Sequence, residues 1–399
     1  MKSMRPRILF FVPELPAFNS GVLHSQVLTP AGYLAQNGFE CFFVGSDISQ
    51  EQAAKAEKLI SEQYGVPSKI FGCYSLKFGF IGIYRTISKV SKLAREVIDS
   101  FGPTYIYTRS SASSFWGRGI AREQGASSIY HIKAERSAEV ALERGKGLRS
   151  YIVRLLDLME IRRSDRLACV SRRLKDWVIR ETSRHDVEII PCCIDKSKIS
   201  FDPKSRAEIR HRYGFNDENK VICYMGGVSV WQRISDIVQL CERISHLRST
   251  YRFLFVVRQT ELVTKIIQET DLAMEKCRVL RCLHSEVPKY MSAADAGIIM
   301  RHDIVVNNVA CPIKIGEYLG CGLPVILTRG IGDYSKTIPE AGVGILLDED
   351  SNMAQQVVSF MEQPNFNELR DKAIAFAHEN ITWDSHLDGF KRLFSTEPL

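Results

Sequence analysis

The sequence predicts an α/β protein made of two successive Rossmann-like lobes, each a doubly wound parallel sheet. Two observations carry this. Short runs of β-branched and aromatic residues alternate with longer amphipathic stretches, and the runs are apolar throughout, as strands buried on both faces must be. The opening pattern, an apolar strand followed by a turn and a helix, starts again near residue 220. A length of 399 residues fits two domains.

Taken in order, Ile8–Val12 is a strand ended by Pro13, and Leu23–Gln36 is an amphipathic helix closed by Gly38. Glu40–Val44 is a strand and Glu51–Tyr64 a helix. Further strands are expected at Ile70–Cys73, Tyr105–Thr108, Ser128–His131, Leu167–Val170 and Glu188–Ile190. Helices are expected at Tyr84–Ser100, Ser113–Gln124, Leu148–Arg163 and Leu174–Glu181. Pro191 to Pro203 has two prolines and no period, so it reads as a linker. Beyond it, Lys220–Tyr224 runs into Gly226-Gly227 and a helix from about Gln232. Strands follow at Phe253–Val257, Val279–Leu280, Ala296–Met300, Val325–Leu327 and Gly344–Leu346, and the last helices are Phe366–His378 and Trp383–Phe394. The expected domains are 1–195 and 205–375, with 376–399 crossing back to the first. Two such lobes facing each other would hold a ligand in a cleft between the carboxyl ends of their sheets.

Fifty-three Lys and Arg stand against 46 Asp and Glu, for a net charge of +7. The excess is uneven: residues 1–200 carry 30 basic and 20 acidic side chains, and residues 201–399 carry 23 and 26. A basic first half suggests an anionic partner of its own. The 11 cysteines are odd in number, have no C-x-x-C spacing and mostly sit among apolar residues, which favours reduced core thiols over disulfides or a metal framework. Five apolar residues near the start are too few for a secretory segment, and no run approaches a membrane span, so a cytoplasmic location is expected.

The most informative stretch runs from Cys311 to Ile326. Pro312 opens a helix, Lys314 and Glu317 share one face of it, Gly320 and Gly322 end it, and a strand follows. A helix start with a nearby lysine suits phosphate, and a carboxylate one turn on can accept both hydroxyls of a ribose. This stretch resembles the donor-binding helix of family-4-like (GT4) glycosyltransferases with the GT-B fold, written P-x-K-x-x-E-Y-L-A-x-G-x-P-V. Ile190 to Asp195 is similar to that family's I-P-N-G-V-D with Cys192-Cys193 replacing Asn-Gly. Cys169-Val-Ser171 resembles its V-S turn, and Ser285 to Asp295 its E-V-x-x-Y…A-D segment.

The resemblance implies transfer of a sugar from a nucleotide donor, UDP- or GDP-linked, to a glycan or lipid-linked acceptor in assembly of a surface polysaccharide, lipopolysaccharide or capsule. It implies an acceptor-binding first domain and a nucleotide-sugar-binding second domain, with retention of configuration. It places Glu317 on the ribose and a basic pair, matched by Arg233 and Arg258, on the diphosphate, with Lys314 sharing that role. Gly21 and Gly227 would let backbone approach the donor, beside Pro312 and Ile313. In the first domain His131, Lys133 and Glu139 resemble the D-x-R-G-x-x-x-E stretch of some relatives. His131 is expected to be catalytic, bonding to donor or acceptor hydroxyls, with Arg109, Lys133 and Glu139 on the acceptor. The family's E-x7-E would put an acid at Val309, and Asn307 and Asn308 stand nearby as candidate sugar contacts. Asp348-Glu-Asp350 spells D-x-D but is expected to cap a helix, so no metal or other cofactor is expected.

Leu76–Arg85, ahead of Lys89, Lys92 and Arg95, and Gly145–Arg173, with Lys146, Arg149, Arg154, Arg162, Arg163 and Arg166, read as basic amphipathic segments. They suggest peripheral binding to the inner face of a membrane, and no nucleic-acid module is present. A nucleotide-sugar 2-epimerase of the same fold and a non-catalytic nucleotide-binding relative are the alternatives.

Overall fold

The computed structural model describes residues 5–18, 20–75 and 79–395. The chain divides into two compact units, one running to Pro191 and completed by the segment from Leu387, the other spanning Cys192–His386. Each unit is built around one parallel sheet. In the first, β1 (Arg7–Pro16), β2 (Glu40–Ser46), β3 (Ser68–Phe71), β4 (Tyr105–Thr108), β5 (Ser127–Ile132), β6 (Arg166–Cys169) and β7 (Val187–Ile189) are ordered β3-β2-β1-β4-β5-β6-β7. In the second, β8 (Lys220–Gly226), β9 (Tyr251–Val257), β10 (Cys277–Leu280), β11 (Ala296–Ile299), β12 (Val325–Leu327) and β13 (Gly344–Leu346) are ordered β10-β9-β8-β11-β12-β13. In both sheets the order reverses beside the first strand, between β1 and β4 and between β8 and β11. At such a switch point the connecting helices leave to opposite faces, which opens a crevice at the carboxyl ends of those two strands.

Helices cover both faces, so the central strands are buried completely. Phe10, Phe11 and Phe43 in the first sheet and Phe253 and Phe255 in the second are at most 1% exposed. Each such side chain contributes about 1.5–3 kcal/mol of burial free energy.

The observed elements depart from the expected ones where local chemistry intervenes. The expected Leu23–Gln36 helix is interrupted by a π-helical turn, His24–Leu28, before Thr29–Gln36. Pro30 has no N–H to donate to the preceding turn, and Thr29 closes the wider turn with its N–H and its hydroxyl (2.9 Å) on the His24 carbonyl. Pro203–Tyr213, at the end of the expected linker, is a helix capped by Asp202 with proline in its first turn. The charged run Arg136–Arg144 is also helical. The expected Trp383–Phe394 helix is a 3₁₀ turn at Asp384–His386 followed by Leu387–Leu393. That last helix belongs to the first unit, where Arg392 pairs with Glu188 (2.6 Å) and the Tyr105 hydroxyl donates to the Ser395 carbonyl (2.9 Å). Asp348–Asp350 caps no helix: Asn352 caps Met353–Met361, and the acidic residues form the turn before it.

Candidate functional site

The helix Ile313–Gly320 is clamped from two sides. The Tyr318 ring lies against Gly297 of β11, where a Cβ would stand 2.4 Å from it, and the Tyr318 hydroxyl accepts from the Met225 N–H of β8 (2.8 Å). On the other side Gly316 and Gly320 let Ile194, Ile199 and Ile381 pack close. Pro312 caps the helix and Ile313 begins it. The Gly-Glu-Tyr-Leu-Gly run therefore fixes this helix against β8 and β11, the two strands that flank the switch point of the second sheet.

Lys314 lies across the end of β8. Its ammonium is 5.1 Å over the Tyr224 ring and donates to Gln232 Oε1 (2.5 Å). Gly226 has φ +136°, and a Cβ there would stand 2.2 Å from the Lys314 Cε and Nζ. Gly226 is thus required beside Lys314. Gly227, expected as a donor contact, has only ordinary contact at 3.4 Å within the protein and offers its carbonyl to the Tyr224 hydroxyl. Gly226→Ala should displace the Lys314 ammonium and weaken anion binding about 10-fold or more, the size of one lost charge-assisted contact; calorimetry with a nucleoside diphosphate reads this.

Glu317 is 7% exposed and makes no hydrogen bond to a described residue. Burial pushes its carboxyl up to about 7, against the opposing pull of Lys314. Burial likewise draws the Lys314 ammonium down to about 7, helped by the Arg301 charge and opposed by Glu317.

Arg301 was not singled out from the sequence. It follows β11, is 8% exposed, and has a buried Nε with no partner; Nη1 reaches Asn307 Oδ1 at 3.4 Å. No carboxylate among the described residues pairs with it, and burial lowers its pKa. Two cations, Arg301 and Lys314, thus sit within reach of each other's fields with too little negative charge beside them. That arrangement is costly unless an anion completes it. The available signal was position, a charged residue directly after a buried parallel strand.

Arg233 starts the helix Ile234–Leu247 in a left-handed conformation, φ +47°. Such a backbone costs about 1–3 kcal/mol for a residue with a side chain. Asp236 and Glu349 grip its guanidinium at 2.5 Å each, and these pairs raise its pKa despite burial. Arg258 is exposed just beyond β9, beside β8 in the sheet.

The two candidate asparagines share the turn after Arg301. Asn307 is fully buried, donating to the His302 carbonyl (2.9 Å) and facing Arg301, so it supports Arg301 and offers nothing to a sugar. Asn308 is half-buried in the same turn and donates to Asp303 Oδ1 (2.5 Å). Val309 is buried.

In the first unit, Arg109, His131 and Lys133 come together past β4 and β5. His131 is 1% exposed with both ring nitrogens engaged: the Tyr107 hydroxyl lies 2.6 Å from Nδ1, and Nε2 lies 3.0 Å from the Ile190 carbonyl. The carbonyl can only accept, so Nε2 carries a proton. Burial, with the nearby Lys133 charge, keeps its pKa well below the usual value. In this structure His131 ties β5 to the end of β7. The Lys133 ammonium lies 3.2 Å from both ring nitrogens. Arg109 is half-buried with one bond, to Gln26 Oε1 (3.3 Å), and a buried partnerless Nε. Glu139 lies on Arg136–Arg144 and pairs with Arg136 at 2.6 Å. Gly21 is exposed in a short helix capped by Ser20.

Glu14, in β1, was missed. It is 8% exposed; Oε1 accepts from the Ser113 hydroxyl (3.2 Å) and Oε2 has no partner. Burial raises its pKa against the pull of Arg109. Glu14 and Arg109, each with a partnerless buried atom, stand at the switch point of the first sheet as Arg301 and Lys314 do in the second. Among the described residues no group of three or more His, Cys, Asp or Glu converges as a metal set would.

The two units match two family models, "Glycosyltransferase Family 4" over residues 25–198 and "Glycosyl transferases group 1" over residues 205–379. No curated protein sequence matches the chain. Among solved structures the chain is similar to Anabaena HepE in complex with UDP-glucose, at 16% identity and a TM-score of 0.72, covering 97% of this chain and 99% of that one. It is similar to sucrose-phosphate synthase from Thermosynechococcus elongatus, at 13% identity and 0.77, covering 98% of each. WaaG, a glycosyltransferase involved in lipopolysaccharide biosynthesis, matches at 12% and 0.66 over 97% and 98%. At these identities the structural likeness establishes the fold.

Proposed function

Because the chain belongs to the family-4 glycosyltransferases of GT-B fold, we propose that it takes a nucleotide-sugar donor and that its second unit binds that donor through Glu317, Lys314, Arg301 and Arg233. The observation that carries this is the buried Glu317 carboxylate, without a hydrogen bond to a described residue, one helical turn from Lys314, whose ammonium lies in the field of the buried Arg301. Glu317 accepts from the ribose hydroxyls. Lys314 and Arg301 bind the diphosphate, and Arg233 adds a third charge by exchanging its contacts with Asp236 and Glu349 for the phosphate. As the bond from the sugar C1 to the phosphate oxygen breaks, charge builds on the diphosphate, and cations already in place lower that barrier without reorganising. The acceptor oxygen bonds to C1 on the same face, and its proton passes to the departing phosphate oxygen, so configuration is retained. These three cations supply the neutralising charge, and the proposed step calls on no metal or other cofactor. Acceptor hydroxyls are read onto Glu14 Oε2, Arg109 and Lys133 of the first unit. Arg258, exposed at the neighbouring strand end, is read as an outer donor contact.

The acceptor class proposed is a glycan or lipid-linked saccharide in surface polysaccharide or lipopolysaccharide assembly, with the enzyme peripheral to the inner face of the membrane. UDP- and GDP-sugars are the donors to try first. Incubation with each, with and without lipid-linked saccharide acceptors, tests the reading: acceptor-dependent release of nucleoside diphosphate supports it. Conversion of the donor's sugar without acceptor would establish the epimerase instead, and nucleotide binding with no turnover on any acceptor would establish a binding protein.

The two groups drawn toward neutrality make nucleotide affinity bell-shaped. Glu317 must be ionised to accept from the diol, so affinity falls below about pH 7; Lys314 must be protonated to bind phosphate, so affinity falls above it. Calorimetry from pH 5.5 to 9 should find the maximum near 7. Glu317→Gln should flatten the acid limb and Lys314→Met the alkaline one.

A further inference from the structure

Four exposed apolar residues of this protein share one helix. On the helix Leu148–Arg163, Leu148, Tyr151, Ile152 and Leu155 are 75%, 58%, 44% and 49% exposed. Their spacing of three, four and seven puts them on one outward stripe, where a helix packed only on its other side would carry polar groups. Both acidic residues of the helix, Asp157 and Glu160, are buried. The outward face therefore carries no negative charge, while Arg149, Arg162 and Arg163 are exposed along it. Arg154 and Arg166, read with this face from the sequence, turn elsewhere, to Glu181 (2.6 Å) and the Arg392 carbonyl (3.2 Å).

The helix packs on Ser111–Gln124, which packs in turn on Phe80–Leu93. Between them lies a groove of about 610 Å³ bounded by Arg163 at the end of the stripe, with Lys92, Arg122, Phe115 and Trp116. Arg95 and Arg118 also line it but are paired with Glu123 (2.6 Å) and Glu160 (2.9 Å). Lys92, Arg122 and Arg163 have no carboxylate partner among the described residues and are exposed. Phe115 beside them is 47% exposed, and Leu93 50%. Leu76, Lys77 and Phe78 of the other basic segment lie outside the described residues.

We propose that this face docks on an anionic lipid bilayer, the stripe of Leu148–Arg163 entering the interfacial layer and the Lys92–Arg122–Arg163 groove taking a lipid phosphate. The proposal rests on the membrane part of the functional reading and gives it a surface. An apolar stripe needs an apolar phase, which a nucleic acid does not offer, and a free phosphate would leave the stripe in water. Basic side chains flanking an apolar face bind anionic headgroups additively and in a salt-dependent way.

The test is sedimentation of the full-length protein with phosphatidylcholine vesicles with and without 30% phosphatidylglycerol (a composition on the order of natural anionic surfaces). The expected result is partition into the anionic vesicles, at least 10-fold above the neutral ones and lost in high salt. Ile152→Glu with Leu155→Glu should abolish it, and Arg122→Glu with Arg163→Glu should weaken it at least 10-fold. Vesicles of brominated phosphatidylglycerol should quench the fluorescence of Trp116 in the groove, and Trp116→Phe should remove that quenching. Equal partition of wild type and the stripe variant would overturn the proposal, as would self-association or RNA-oligonucleotide binding that depends on the same residues without vesicle binding. Nucleotide affinity measured on the same variants should be unchanged. A chain that binds vesicles but no nucleotide would sink the donor reading and leave this one standing.

Discussion

Arg301→Met will leave a protein that is more stable and far less active. Removing a buried guanidinium that no carboxylate balances relieves a desolvation cost, and methionine keeps much of the apolar stem. A gain of about 1 kcal/mol is expected, or about 2–4 °C in melting temperature for a unit of this size. Turnover should fall about 10²–10³-fold, the range found when one preorganised charge is removed from a developing anion. Arg301→Lys should recover little, because a lysine cannot repeat the planar donor set. Differential scanning calorimetry and nucleotide-release kinetics on one preparation read both halves. A variant that loses stability together with activity would make Arg301 a packing residue and remove it from the site.

Glu317→Ala should weaken nucleotide binding about 30- to 100-fold, because hydrogen bonds to an ionised carboxylate contribute about 1.5–3 kcal/mol each and their loss is not fully additive. The sharper result comes from changing the ligand as well. The wild type should lose most of its affinity for a 2′,3′-dideoxy nucleotide, whereas Glu317→Ala should bind it as well as it binds the parent. Equal losses in both proteins would move the ribose away from Glu317. Because the carboxylate is buried without a hydrogen bond, the alanine variant should fold at least as well as the wild type at pH 8, where an empty site must hold an ionised group in a poor solvent.

Much of the second unit's site was legible in the sequence because the residues that make it are neighbours in the chain. Pro312, Lys314, Glu317 and the bracketing glycines lie within one helix, and helical geometry alone puts Lys314 and Glu317 on one side. Arg301 was not legible in this way. It meets Lys314 because β8 and β11 are adjacent in the sheet, and nothing local to Met300-Arg301-His302 encodes that adjacency. Glu14 was missed for the same reason: its importance comes from Arg109 and Ser113, which are distant in sequence. Other candidate contacts are engaged by partners within the fold. His131 is saturated by Tyr107 and the Ile190 carbonyl, Asn307 by the His302 carbonyl and Arg301, and Glu139 by Arg136. A polar side chain's availability is what remains after the fold has satisfied it.

The fold class, its two parallel sheets and the family were determined by the sequence alone, because burial on both faces writes continuous apolar runs and the donor helix keeps its spacing within about one turn and a half. Which charges remain without partners was decided only by tertiary structure. Hydrogen-bond and ion-pair satisfaction depends on what the strand order brings together. In this chain it leaves the Glu317 carboxylate, the Arg301 and Arg109 Nε atoms and Glu14 Oε2 unmatched at the strand ends of the two sheets.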